Sequence, residues 1–387
     1  MSGLGSQHKK LPVTSEAAAT LPPFIGYYAR RSRVLGLDLL RISASLTIVL
    51  YHGYWIGTLP IIGANPITAR IETFGYLGVD LFFVLSAWLL VGQALRLKLS
   101  LTNGSFFTFW SRRWLRTIPS YWVALVLALV PFFGFQPGML VRSALFLQTL
   151  PTAYAISWSL VAEEWFYLSL PLVIVLCWRI RNWRTLVLLG SVSLLIPIVI
   201  RASLIRSSPW HEVQMVPHAR FEGLVVGAAL AAIALHRPEM FALFVRRRRL
   251  LFVAGLTGMV ALLAISRQES WWFETLGMLT FSLLIGALIP LLSNLRWPVG
   301  APIGLVIGVT LLSDLTYPLY LIHTIVPTMP GLNRYSTFLY GLSWLLGVLV
   351  AAIALHLLVE RPFLSIRARI AARGAQTNIA AAGKAAA

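Results

Sequence analysis

The chain has 387 residues, of which 58% are hydrophobic and 12% charged, and its mean hydropathy is +0.78. A soluble domain of this length could not bury so much apolar surface, so the composition excludes a soluble protein and predicts a polytopic membrane protein. Its formal net charge of +19 would suit nucleic acid in a soluble chain, and here it must be judged against the hydrophobic segments.

Ten hydrophobic segments of about membrane-spanning length predict an all-α fold of about ten transmembrane helices. They lie near residues 37–57, 74–95, 117–134, 157–178, 185–200, 219–235, 250–266, 272–292, 301–326 and 336–359. The pattern divides the chain into a basic N-terminal segment (1–34), a transmembrane domain (35–363) and a tail (364–387) that we predict to be disordered.

The lysines and arginines outside these segments are distributed unevenly between the two sides of the membrane. One side, with the N-terminus, alternate loops and the tail, holds 24, and the other holds six: Arg70, Arg142, Arg201, Arg206, Arg267 and Arg334. The positive-inside rule therefore predicts that both termini are cytoplasmic. We expect membrane lipids as partners of the basic loops, and no nucleic acid. The single cysteine, Cys177, excludes an intrachain disulfide and a cysteine-based metal cluster.

Ionisable residues recur within the apolar segments, where burial is costly and each is a functional candidate. In the first segment Arg41 and His52 share one helical face, about 16 Å apart along the axis. His52 is expected at the outer end of its segment, with six further residues at or near the outer ends of other segments: Asp80, Glu163, Glu164, Arg220, Glu222 and His323.

A histidine near a carboxylate is the usual group that takes a proton from a hydroxyl near neutral pH. His52 or His323 is therefore the candidate base, and the ring would be oriented by Asp80, Glu163 or Glu164. The alternative is that these groups form ion pairs that hold the helices together.

Three arginines, Arg112, Arg113 and Arg116, lie in the sequence FWSRRWLRTIP at the predicted cytoplasmic mouth of the third segment. Arginine binds phosphate oxygens bidentately, so this cluster predicts a phosphate-bearing ligand. The alternative is a basic patch that contacts lipid headgroups. The chain has no Gly-rich phosphate loop, HExxH or GxSxG motif, and we predict no metal site.

Seven segments, in chain order over residues 35 to 363, resemble the membrane-bound acyltransferase-3 family of O-acyltransferases. The opening helix of that family carries an Arg, ten residues and a His, as Arg41 and His52 do here. The later segments, which add Ser159 and Tyr320 to the candidates, read GVDLFFVLSAWLL, RRWLRTIPSYW, WSLVAEEWFY, RFEGLVVGAALA, LTYPLYLIH and VERPF. Trp88 stands where the family usually has the Phe of Ser-Gly-Phe, from which we expect a changed pocket shape.

The resemblance implies that an acyl group, commonly acetyl, passes from cytoplasmic acyl-CoA to a hydroxyl of a carbohydrate-containing acceptor, in a bacterial inner membrane. Arg112, Arg113 and Arg116 would then hold the acidic end of CoA. Arg41 would contact the thioester end or pair with Asp38. His52 would act as general base or as acyl carrier, and these two routes stay open.

Two other classes of protein fit the same residues. A proton-coupled transporter or flippase would use the histidines and carboxylates as a proton relay. A non-catalytic sensor of acyl-CoA or lipid would need Arg113 and Arg116 but not His52. The His52→Ala variant separates the three, since it would lose acyl transfer, lose transport, or change neither.

Overall fold

The computed structural model describes residues 34–55, 66–96, 105–129, 137–148, 154–180, 182–326 and 337–370, and the regular secondary structure in these ranges is helical. The α-helices are Leu35–Trp55 (α1), Pro66–Phe74 (α2), Gly78–Arg96 (α3), Ser105–Leu129 (α4), Pro137–Ala144 (α5), Trp158–Arg179 (α6), Trp183–Leu204 (α7), Trp210–Val213 (α8), Glu222–His236 (α9), Pro238–Arg246 (α10), Arg248–Ile265 (α11), Met278–Leu292 (α12), Ile303–Ile322 (α13) and Thr337–Leu355 (α14). Two π-turns, Phe273–Gly277 and His356–Glu360, adjoin α12 and α14.

Eight helical segments of the described residues are long and apolar enough to cross a membrane, which confirms an all-α, multi-pass membrane fold. Eight of the ten predicted spans correspond to them. The predicted third span lies on α4, which begins at Ser105, well before residue 117. Hydropathy places the start too late because the first turns of α4 carry three arginines.

The predicted sixth span, 219–235, ends just before a sharp bend in the chain. It corresponds to α9, which a bend of 110° separates from α10. Pro238 is the first residue of α10, and Arg237 before it leaves the helical region with φ −134° and ψ 60°. A proline disfavours helical geometry at the preceding residue, so α9 has to end there.

α3 lies at the centre of the bundle. The span that contains it is 78% buried, whereas those of α7 and α11 are each 11% buried and form the periphery. α3 packs against α9, α1, α12 and α6. Gly227 of α9 permits the closest approach, because a Cβ there would lie 2.2 Å from the carbonyl oxygen of Val84.

The last span continues past the predicted domain end at residue 363. Helix runs through the second π-turn to Ile370, so residues 364–370, which we assigned to the tail, are helical. The rest of the predicted tail and residues 1–33 lie outside the described residues. The cytoplasmic location of both termini stays a prediction.

Substituting Gly227→Ala tests the close contact between α9 and α3. The added methyl group overlaps the backbone of α3, so we expect a loss of about 1–3 kcal/mol in stability and a lower thermal midpoint in detergent. Gly190→Ala in α7 is the matched control, since a Cβ there meets nothing within 4 Å. Equal midpoints for the two variants would contradict the packing described.

Candidate active site

The structure brings the two candidate histidines together. His52 lies in the last turn of α1, and His323 follows the end of α13. Nε2 of His323 lies 3.2 Å from Nδ1 of His52, and the ring centroids are 4.8 Å apart. His323 is fully buried, and His52 is partly exposed. We call these two residues the histidine pair.

Hydrogen bonds to backbone carbonyls assign the tautomers of the histidine pair. Nδ1 of His323 lies 2.8 Å from the carbonyl oxygen of Tyr320, which can only accept, so Nδ1 carries the proton and Nε2 is an acceptor. Nδ1 of His52 then donates to that Nε2 and to the carbonyl oxygen of Ile48 at 3.0 Å. The lone pair of His52 is therefore on Nε2, where a general base needs it.

The expected carboxylate partner of His52 is replaced by a second histidine. Among the described residues, Asp80 pairs with Arg220, Glu163 with Arg113, and Glu164 accepts a hydrogen bond from the indole of Trp114. His323 instead occupies the position beside His52 that we predicted for a carboxylate.

A cavity of about 490 Å³ lies inside the bundle and is bordered by α1, α3, α4, α6 and α13. Along α3 its lining extends from Val79 to Gln93, about 21 Å at 1.5 Å per residue. Five arginines line it: Arg41, Arg112, Arg113, Arg116 and Arg367. Glu163 is the one carboxylate among the described lining residues. We call this the arginine cavity, and its charge favours an anionic ligand.

A hydrogen-bonded network fixes one wall of the arginine cavity. Arg113 lies 3.3 Å from the Glu163 carboxylate, donates to the hydroxyl of Tyr167, and lies over that ring at 4.1 Å. The Tyr167 hydroxyl donates to Glu163 at 2.6 Å, so Ser86, 2.7 Å away, donates to Tyr167. We predicted Arg113 at the cytoplasmic mouth and Glu163 at the outer end, and this separation is wrong because the two side chains meet inside the bundle.

Arg41 takes one of the two roles expected for it. It pairs with Asp38 one turn earlier at 3.1 Å, and Ser313 of α13 donates to the same carboxylate oxygen at 2.7 Å. Arg41 also lines the arginine cavity. The pairing with Asp38 therefore holds the guanidinium at the cavity wall.

The deep end of the arginine cavity lies next to the histidine pair. Ser159 and Tyr320 line it, and their hydroxyl oxygens are 2.5 Å apart. The ring of Tyr320 is 5.8 Å from that of His323. His52 itself does not line the cavity, and the contacts that link it to the cavity run through His323 and Tyr320.

We expected Trp88 to change the shape of the pocket, but its side chain does not line the arginine cavity. The indole of Trp88 stacks on Phe241 of α10 with centroids 5.5 Å apart, and it is absent from the cavity lining. The larger ring packs against α10 instead.

A second polar group, which we call the buried ion network, links α3, α7, α9 and the first π-turn. Arg220 lies 2.7 Å from Asp80, and Arg201 lies 2.7 Å from Glu222. Arg201 also donates to the carbonyl oxygens of Glu274, Thr275 and Ala219, while Gln214 bridges Arg220 and Glu274. No group of three or more metal-ligating side chains occurs in the part of the chain described.

Sequence reasoning missed several members of these groups. Arg201 was assigned to an outer loop, but it lies within α7 and is fully buried, so that assignment is wrong. Glu274 and Gln214 fall outside the family segments. Arg201 and Glu274 lie within or beside apolar segments, and this unusual position of a charged residue was the signal that could have identified them.

Comparison with known protein families gives a match over most of the chain. A family model described as an acyltransferase domain, that of the acyltransferase-3 family, matches residues 34–361. The match agrees with the resemblance seen in the seven segments and with the predicted enzyme class. No solved structure matches the chain.

Two curated relatives are similar over large parts of the chain. The O-acetyltransferase OatA of Staphylococcus aureus (strain NCTC 8325 / PS 47) is 26% identical over 370 residues, covering 84% of this chain and 56% of the relative. The peptidoglycan O-acetyltransferase OatA of Listeria monocytogenes is 27% identical over 220 residues, covering 48% of this chain and 30% of the relative. The chain thus spans about half the length of the first of these relatives.

Removing one partner of the Asp80–Arg220 pair tests whether it holds the bundle together. We expect Asp80→Ala to cost about 3–5 kcal/mol, since it leaves an uncompensated buried charge. The double variant Asp80→Ala/Arg220→Met should be markedly more stable than Asp80→Ala alone, as thermal unfolding in detergent would measure. A double variant less stable than the single one would contradict this account of the pair.

Proposed function

The chain belongs to the acyltransferase-3 family, and from this membership we propose that it moves an acetyl group from cytoplasmic acetyl-CoA to a hydroxyl of a carbohydrate-containing acceptor. The observation that carries the proposal is the arginine cavity, which reaches within one side chain of the histidine pair. An anionic donor and a base for a hydroxyl acceptor are the two requirements of this reaction.

The donor would lie along the arginine cavity. CoA carries a diphosphate and a 3′-phosphate at one end, which Arg112, Arg113 and Arg116 would bind through their guanidinium forks. The pantetheine arm would extend past the apolar side chains of α3 and past Arg41. The thioester would then reach the deep end at Ser159 and Tyr320.

The chemistry would start at Nε2 of His52. It takes the proton from the acceptor hydroxyl, whose oxygen attacks the thioester carbonyl carbon. The hydroxyl of Ser159, which donates to the Tyr320 oxygen in this structure, is the candidate donor to the resulting oxyanion. The C–S bond then breaks, and CoA leaves as the thiol with the proton from His52. An acyl-His52 intermediate would use the same nitrogen as nucleophile.

His323 would act as a positioning residue in this scheme. It fixes the tautomer of His52, and its own ring is held by backbone carbonyls of Leu319 and Tyr320. A neutral partner shares a hydrogen bond without adding a negative charge to an apolar site. The histidine pair therefore supplies orientation at less desolvation cost than a carboxylate would require.

The acceptor would be a cell-envelope glycan, and the protein would lie in a bacterial inner membrane. The curated relatives are named O-acetyltransferases, one of them a peptidoglycan O-acetyltransferase, which supports a polysaccharide acceptor. The arginine cavity has no necessary role in a proton-coupled transporter, the alternative class, whose proton relay would use the histidines and carboxylates.

The His52→Ala variant tests the base. We expect acetyl-CoA binding to be retained and turnover to fall by about 10²–10⁴, the usual contribution of a general base. Calorimetry in nanodiscs would measure binding, and release of free CoA thiol with soluble peptidoglycan fragments would measure turnover. Arg116→Ala, in contrast, should weaken binding.

His218→Ala serves as the control, because His218 is exposed and distant in sequence from both histidines of the pair. Turnover by His52→Ala at the wild-type rate would exclude His52 as the base. Wild-type protein that binds no acetyl-CoA would overturn the proposed donor.

A further inference from the structure

Residues 361–370 form a helical segment after the second π-turn, which we call the C-terminal helix. It places a fifth arginine in the wall of the arginine cavity. Arg367 lines the cavity together with Arg112, Arg113 and Arg116 of α4. It lies beyond residues 34–361, which the family model matches, and beyond the predicted transmembrane domain. We propose that Arg367 binds the phosphate-bearing end of acyl-CoA, an inference that rests on the proposed function.

The position of Arg367 along the chain places it at the end of the cavity away from the histidine pair. α13 ends beside His323, and the last span packs against α13 and returns in the opposite direction. Its second π-turn packs against α4 and α13. Arg367 follows Glu360 by about 10 Å of helix, at the same end of the bundle as the start of α4.

A buried pair stabilises the π-turn that precedes Arg367. In the second π-turn, Nδ1 of His356 lies 2.6 Å from the Glu360 carboxylate, and both side chains are buried. A π-turn changes the rotation of the residues that follow it by departing from the α-helical repeat, and such turns are frequent at functional sites. Beyond it Arg367 is partly buried at the cavity, whereas Arg369 is exposed.

The charges around the cavity show what Arg367 would add. Arg41 lines the cavity from α1 and Arg113 from α4. Arg112 and Arg116 face the cavity from α4, and Arg367 faces it from the C-terminal helix. Guanidinium groups on two different walls suit a diphosphate, whose oxygens point in several directions.

The experiment uses the full-length protein in nanodiscs and measures dissociation constants for acetyl-CoA and for CoA. Arg367→Ala should weaken both by about tenfold, equivalent to about 1.4 kcal/mol, because the phosphates are common to the two ligands. Arg369→Ala is the matched control on the same helix and should bind as wild type does. Arg367→Lys should recover part of the affinity, since it restores the charge but not the fork.

Three results would overturn the inference. Equal affinities of Arg367→Ala and the wild-type protein for acetyl-CoA would refute it. Weakening of acetyl-CoA alone would place Arg367 at the acyl end. A thermal midpoint lowered without ligand, and not restored by Arg367→Lys, would show a purely structural role. Failure of the wild-type protein to bind either ligand would instead refute the proposed function itself.

Discussion

A charge inside a membrane needs a partner, and the pairing of buried charges determines how the helices of this protein fit together. An unpaired arginine or carboxylate at this depth is costly, so each pair restricts the depth and rotation of the helices that carry it. Four pairs tie the described helices: Asp38–Arg41 with Ser313, Arg113–Glu163, Arg201–Glu222 and Arg220–Asp80.

The same pairs divide the arginines into two kinds. Arg201 and Arg220 are fully buried in the buried ion network, where they pair with Glu222 and Asp80. Arg113 and Arg41 hold a carboxylate and still line the arginine cavity. The first kind supports α3 and α9, and through α3 it positions the cavity wall. The second kind leaves positive charge at the cavity wall, and this supports the proposal that the donor binds there.

Much of the architecture could be predicted from sequence because the signal is local. Hydropathy over a window identifies apolar helices, and an Arg and a His eleven residues apart fall on one face by helical geometry alone. Ion-pair partners could not be predicted, since Arg113 and Glu163 are fifty residues apart and meet only through packing of α4 on α6. The pairing of His52 with His323 could not be predicted for the same reason, since the two lie 271 positions apart in the chain.

Arg367 shows a different limit. Its charge looked like part of the positive-inside bias, and only the continuation of helix through the second π-turn brings it to the cavity. The start of α4 was likewise obscured, because the arginines that make the site also lower its hydropathy.

We propose that one ligand extends from the arginines to the histidine pair. The most direct test is a cryo-electron microscopy structure with a non-reactive thioether analogue of acetyl-CoA. Our account predicts phosphate density against Arg112, Arg116 and Arg367, with the acyl end at Ser159 and Tyr320, directed toward His52. An analogue bound outside the cavity, or with its phosphates at the histidine pair, would contradict it.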